Sequence, residues 1–238
     1  MPVALEDMKE GKIQLLILSG SNNHDWQATT PLLKSILDDS GRFSVKITNS
    51  PDTLTYKDMK EFDAIVSNWN SWPDNEYLWP GETKEGVLRF LKEGGGLVFF
   101  HASTSALYQW PEFKKISTGA WTEATWHSRP GPVNVEIENQ EHPITRGLSD
   151  FHVFDELWID AEQNKEFQVL GYAKNVKPDA GEQERQPAIF VSGYGSGRIF
   201  HTILGHDTRA MKYIGFQTLM LRGAEWAATS EVTIMTPD

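Results

Sequence analysis

Three short runs that are apolar almost without interruption, Lys12 to Ser19 (KIQLLILS), Phe62 to Ser67 (FDAIVS) and Leu97 to Phe100 (LVFF), constrain the fold most. A strand with one wet face alternates polar and apolar residues, whereas a strand covered on both faces has no polar side to show. Each run therefore predicts a strand buried between two layers. Leu32, Leu33, Ile36 and Leu37 form a helical stripe, opened by Thr30-Pro31 as cap and first turn and stopped at Gly41. Val87, Leu88 and Leu91 form another stripe between Thr83 and Lys92, which ends on three glycines. Phe43 to Thr48 alternates as a further strand, and Tyr56 to Lys60 reads as a helical turn. Strands alternating with helices at this spacing predict an α/β fold with a doubly wound, mostly parallel sheet.

The second half is richer in β-structure. Val133 to Glu138, Phe151 to Ile159, Phe167 to Tyr172, Ala188 to Ser192 and Arg198 to Leu204 are expected strands, with Gly193, Gly195 and Gly197 turning the last two into a hairpin. A closing helix is expected from about Thr208 to Ala228. No repeat or linker divides the chain, so a single domain is expected over its 238 residues, with about residues 1–11 as an extension.

Composition narrows the chemistry. A net charge of −11 without a basic run lacks the footprint that a phosphate backbone requires, so nucleic acid is not an expected partner. The absence of cysteine removes thiolate nucleophiles, thiolate metal sites and disulfides, and leaves His, Asp and Glu as ligands and acid-base groups. The opening MPVALEDMKEGKIQ carries acids and no long apolar segment, so membrane insertion is not expected and the chain as written reads as cytoplasmic; a removed export signal would instead make it periplasmic or exported. Six of the nine tryptophans gather in loop-like segments (Trp69, Trp72, Trp79, then Trp110, Trp121, Trp126), where flat apolar faces suit sugar rings.

In an open parallel sheet, ligands bind beyond the carboxyl ends of the strands. Three strands should end there on His24-Asp25-Trp26, Asn68-Trp69-Asn70 and His101-Ala102-Ser103, and a later one finishes on Gly205-His206-Asp207. Asp155 and Glu156 are adjacent, so in a strand only one can enter the cleft. His142, before a proline, and His152 and His201, within strands, are expected to be structural, and Arg198 to fix the hairpin or a carboxylate.

Taken together, GGGLVFFHAS, HPITRGL, DELW, YGSGRIFHTILGHD and the terminal GAEWAA resemble the ThuA-like proteins, named for trehalose utilisation and related in fold to class I glutamine amidotransferases. The resemblance covers nearly the whole chain and implies a flavodoxin-like, amidotransferase-like architecture. In the amidotransferases the turn after the fourth strand carries a cysteine nucleophile; here it holds His101 or Ala102, so glutamine hydrolysis is not expected. The family often has an aspartate shortly after this histidine, where this chain has Ser103, Thr104 and Ser105.

The resemblance implies an enzyme of sugar metabolism acting on a small glucoside, a disaccharide or its 3-keto derivative, with a small carbohydrate as partner and a homodimer as the considered assembly. His101, Glu156 and His206 are the expected catalytic groups, and Glu156 rather than Asp155 is favoured by the resemblance. His24, Asp25, Trp26, Asn68, Trp69, Ser103 and His127 are expected to bind substrate. His24, His101, His127 and His206 would suit zinc or a similar divalent ion. The alternative is a noncatalytic carbohydrate-binding or regulatory protein. An esterase or amidase using Ser103 beside His101 stands behind both, since the segment lacks the Gly-x-Ser-x-Gly elbow.

Overall fold

A computed structural model describes residues 11–74, 76–162, 166–177 and 185–237. In chain order the elements are β1 (Ile13–Leu18), α1 (Trp26–Asp39), β2 (Phe43–Thr48), α2 (Tyr56–Met59), β3 (Ala64–Ser67), α3 (Gly81–Lys92), β4 (Gly96–Phe100), α4 (Phe113–Ile116), β5 (Trp126–His127), β6 (Gly131–Ile137), β7 (Phe151–Asp155), β8 (Trp158–Ile159), β9 (Phe167–Asn175), β10 (Gln186–Tyr194), β11 (Gly197–Thr202) and α5 (Ile214–Thr229).

Nine strands form one sheet in the order β2-β1-β3-β4-β11-β10-β9-β6-β7, and β5 pairs with β8 separately. The first four strands and β11 run parallel. The remaining pairings, β11 with β10, β10 with β9, β9 with β6 and β6 with β7, are antiparallel. The β-rich second half thus extends a parallel sheet sideways. The fold is α/β, as expected.

Successive side chains of a strand point to opposite faces, and the two cores divide accordingly. Leu15, Ile17, Val66, Val98 and Phe100 join α1 and α5 in one layer, through Leu33, Leu37, Phe216 and Leu219. Leu16, Leu18, Ile65, Leu97 and Phe99 join α2 and α3 in the other, through Met59, Val87, Phe90 and Leu91. Burying such aliphatic and aromatic side chains is worth about 1.5–3 kcal/mol each, which is why every one of these positions is apolar.

Several local expectations are corrected. Helix α1 starts at Trp26, not at Thr30-Pro31, because the Asp25 carboxylate accepts the N–H of Ala28 as its cap, and Pro31 lies inside the helix. The single strand expected over Phe151 to Ile159 is split into β7 and β8 at Glu156-Leu157, and the closing helix is a 3-10 turn (Ala210–Lys212) followed by α5. Gly94, with φ +103°, turns the chain out of α3 in a conformation other residues rarely adopt. Among the described residues Arg198 pairs with no carboxylate: its guanidinium donates to the carbonyls of Trp226, Ala227 and Ala228 at the end of α5 and to that of Gly94.

His201 lies fully inside the sheet, stacked on Phe190 with ring centroids 5.6 Å apart, and neither ring nitrogen has a hydrogen-bond partner among the described residues. Burial pushes its pKa down to about 3. Below the ordinary histidine value the unfolded chain therefore takes a proton that the folded chain refuses, and stability falls as pH falls, by about 1.4 kcal/mol per pH unit until the folded-state value is reached. Urea unfolding should show this. Between pH 7.5 and pH 5 the native protein is expected to lose about 2 kcal/mol more than His201→Leu, and equal losses would contradict this account.

Candidate functional site

The carboxyl ends of β1, β4 and β11, together with the break between β7 and β8, bring His24, His101, His206 and Glu156 into one cluster, whose candidate ligand atoms all lie within 4.8 Å of one another. His101 is the centre. It opens the 3-10 turn (His101–Thr104) after β4 with φ +42°, a strained backbone for a non-glycine residue, and such strain collects at functional sites. Its Nδ1 is 2.9 Å from the Ile203 carbonyl, which can only accept, so Nδ1 carries the proton and Nε2 presents a lone pair to the cluster. His24 Nδ1 lies 3.2 Å from Asn22 Oδ1 and donates to it, so His24 Nε2 likewise presents a lone pair. His101 Nε2 is 3.3 Å from His24 Nε2 and 3.2 Å from His206 Nδ1.

Nitrogens this close need a proton or a cation between them. A neutral His206 can share its Nδ1 proton with His101 Nε2, but the His24 and His101 Nε2 atoms both present lone pairs. An added proton between them is disfavoured because burial, reinforced by neighbouring histidines, pushes His24 down to about 4 and His101 well below its ordinary value. A cation suits the spacing. A divalent ion holding nitrogens tetrahedrally at about 2.0–2.1 Å keeps them about 3.3 Å apart, so the imidazoles of His24, His101 and His206 fit zinc or a similar ion.

Glu156 stands beside these rings. Its Oε1 is 3.8 Å from His101 Nε2 and from His206 Nδ1, and its Oε2 is 3.1 Å from His127 Nδ1. Burial raises its pKa, against the pull of His206 and His127. His127 was an expected metal ligand, yet it lies outside the cluster, half exposed on β5, because it meets the other carboxylate oxygen and the Ser128 carbonyl.

The adjacent Asp155, the last residue of β7, has a different task. Fully buried, it accepts the N–H groups of Gly205 at 2.7 Å, His206 at 3.0 Å and Glu156 at 2.9 Å. Burial pushes it up to about 7 against the pull of those donors. One carboxylate thus fastens the two turns that carry His206 and Glu156. Gly205, at φ +105°, leaves no room for a Cβ, which would lie 2.6 Å from the Phe216 ring. Fully buried Asn70 makes a similar tie, donating to Asn22 Oδ1, Asn23 Oδ1 and the Ala102 carbonyl.

Other expected binding residues lie elsewhere. Asn68 is buried and donates to Thr29 and Thr30, and Asp25 is the α1 cap with Trp26 as the first helical residue. Trp69 is buried against Trp79 and Tyr77 in the α3 layer, because the loop after β3 turns its ring inward. Trp110 is in the same core. Ser103 is buried and accepts the Phe100 N–H at 3.0 Å instead of pairing with a histidine, so it lacks the base an acyl-transfer nucleophile needs.

Above the cluster opens a cavity of about 200 Å³, lined by His24, His127 and Glu156 and by Trp72, Trp121 and Trp158. Trp158 packs its ring 5.2 Å from that of His101, and Trp121 lies 5.1 Å from Trp158. Trp158 follows the carboxylate pair in DELW, and only its partnership with His101 in space reveals its place.

The sequence profile of the ThuA family, described as trehalose utilisation, matches residues 14–227. This chain belongs to the ThuA family. A ThuA-like protein from Parabacteroides merdae is 31% identical, with a TM-score of 0.81 over 95% of this chain and 93% of that one. A ThuA-like protein from Bacteroides uniformis is 24% identical, with a TM-score of 0.70 over 94% and 95% of the two chains. A Thermoplasma acidophilum protein described as part of a GMP synthase shares the fold at 12% identity, with a TM-score of 0.52 over 93% and 96%. No curated protein sequence matches. Family membership links this ThuA protein to sugar metabolism. Among the described residues no helix is long and apolar enough to cross a membrane.

Proposed function

We propose that this ThuA protein is an enzyme that opens a small glycoside by acid-base chemistry on its 3-keto form, with a divalent ion such as zinc held by His24, His101 and His206. The observation that carries the reading is the convergence of three imidazole nitrogens beside a buried carboxylate, with His24 and Glu156 of that cluster lining a tryptophan-walled cavity. When bound, the ion supplies a Lewis acid for a carbonyl oxygen.

The chain's own groups do the proton work. Glu156, its basicity raised by burial, takes the proton from the carbon beside the ketone. The C–H electron pair becomes an enolate, which collapses to expel the glycosidic oxygen from the next carbon. That oxygen leaves with a proton from His127, the other titratable group lining the cavity on the Glu156 Oε2 side. Water adding to the resulting double bond completes hydrolysis.

Direct hydrolysis with two flanking carboxylates fits less well. Of the acids in the DELW pair, Glu156 alone lines the cavity, and the Asp155 oxygens are committed to backbone.

The test supplies trehalose, methyl glucosides and their 3-keto derivatives to protein of measured metal content. Turnover of a keto derivative, dependent on the divalent ion, is expected. No turnover of any of them, with or without metal, overturns the proposal and favours a noncatalytic sugar-binding protein.

A further inference from the structure

The cavity over the histidines is smaller than the range usual for drug-sized ligands, about 300–1,000 Å³, and suits a single ring. It is not isolated. Trp72 and Trp121, with ring centroids 6.3 Å apart, also line a second, outer cavity of about 640 Å³ that holds none of the clustered histidines. Tyr108 continues the aromatic wall, 6.4 Å from Trp72. An unbroken series of rings therefore runs from His101 through Trp158, Trp121 and Trp72 to Tyr108. Around the outer cavity stand Gln109, Lys114 and Glu162, a mixture of donors and acceptors beside flat apolar faces. That mixture matches hydroxyl-bearing rings better than an aliphatic or purely aromatic group.

We infer that the outer cavity is a second sugar subsite, so that the protein acts on the terminal unit of a glycoside with at least two rings, the reacting ring inside and the next ring between Trp72, Tyr108 and the polar rim. This rests on the reading of the inner cavity as the reaction site. Trp72 and Trp121 line both cavities and mark the boundary, and the glycosidic bond crosses alongside their rings.

The experiment is calorimetric binding of methyl glucoside, maltose and trehalose to the zinc-loaded protein and to Trp72→Ala and Ala124→Trp. Trp72 is partly exposed and Ala124 is an exposed residue of the outer cavity, so both variants should fold, with melting curves as the check. At least one disaccharide is expected to bind about tenfold more tightly than methyl glucoside, and each variant to remove most of that advantage. No disaccharide preference in the native protein, or a preference untouched by both variants, overturns the inference. Because binding is read without turnover, a disaccharide preference in a protein that turns over nothing would reject the enzymatic reading and keep the subsite.

Discussion

Glu156→Gln is expected to lower kcat on a keto-glycoside by about 10²- to 10⁴-fold while leaving bound metal stoichiometry intact. The two outcomes separate because the carboxylate and the imidazoles do different work. Glu156 Oε1 stands 3.8 Å from the His101 and His206 nitrogens, farther than those nitrogens stand from each other, so the carboxylate is the outlying member of the cluster and the rings are expected to keep the ion without it. Glutamine keeps the shape and one acceptor oxygen but has no basic oxygen at neutral pH. Single-turnover rates with metal analysis on the same sample decide the matter. An unchanged rate would remove Glu156 from the proton transfer, and loss of metal would make it a ligand.

The second large effect is expected at His101. His101→Ala should weaken divalent-ion affinity by at least about 100-fold, since even groups that merely orient a metal ligand are worth 10- to 100-fold. Alanine leaves the φ +42° backbone strained, so His101→Asn serves beside it, asparagine being more tolerant of left-handed geometry. Competition with a coloured chelator reads the affinity, and zinc should raise the melting temperature of the native protein but of neither variant. Tight zinc binding retained in both would dismiss the histidine site.

The parallel half of the sheet was legible because β1, β3 and β4 are short apolar runs, and a strand buried on both faces has few other ways to be written. The convergence of His24, His101 and His206 was legible because each follows a strand at the carboxyl edge, where topology alone makes neighbours of distant residues. The order of the antiparallel strands was not readable, since alternation marks a strand without naming its partner. Trp69 and Trp72 are three residues apart in one loop, yet one ring is in the core and the other borders the cavities; a loop has no period from which to tell them apart. That Glu156 joins the histidine cluster while His127 stays outside it could not be read without distances. The break at Glu156-Leu157 was hidden because, apart from the two acids, its residues are as apolar as those of a strand.

Strand β11 lies between β4 and β10, although it follows both in the chain. During synthesis on the ribosome, β4, apolar and buried throughout in the finished protein, must wait for about a hundred further residues before its neighbour emerges. Until then it is an open hydrophobic edge, the kind of surface that invites pairing with other chains. The same insertion delivers Gly205 and His206 beside His101. Maturation of the site and closure of the sheet are thus one event in the life of the nascent chain, and a chaperone that shields β4 would also be guarding the place where the last histidine arrives.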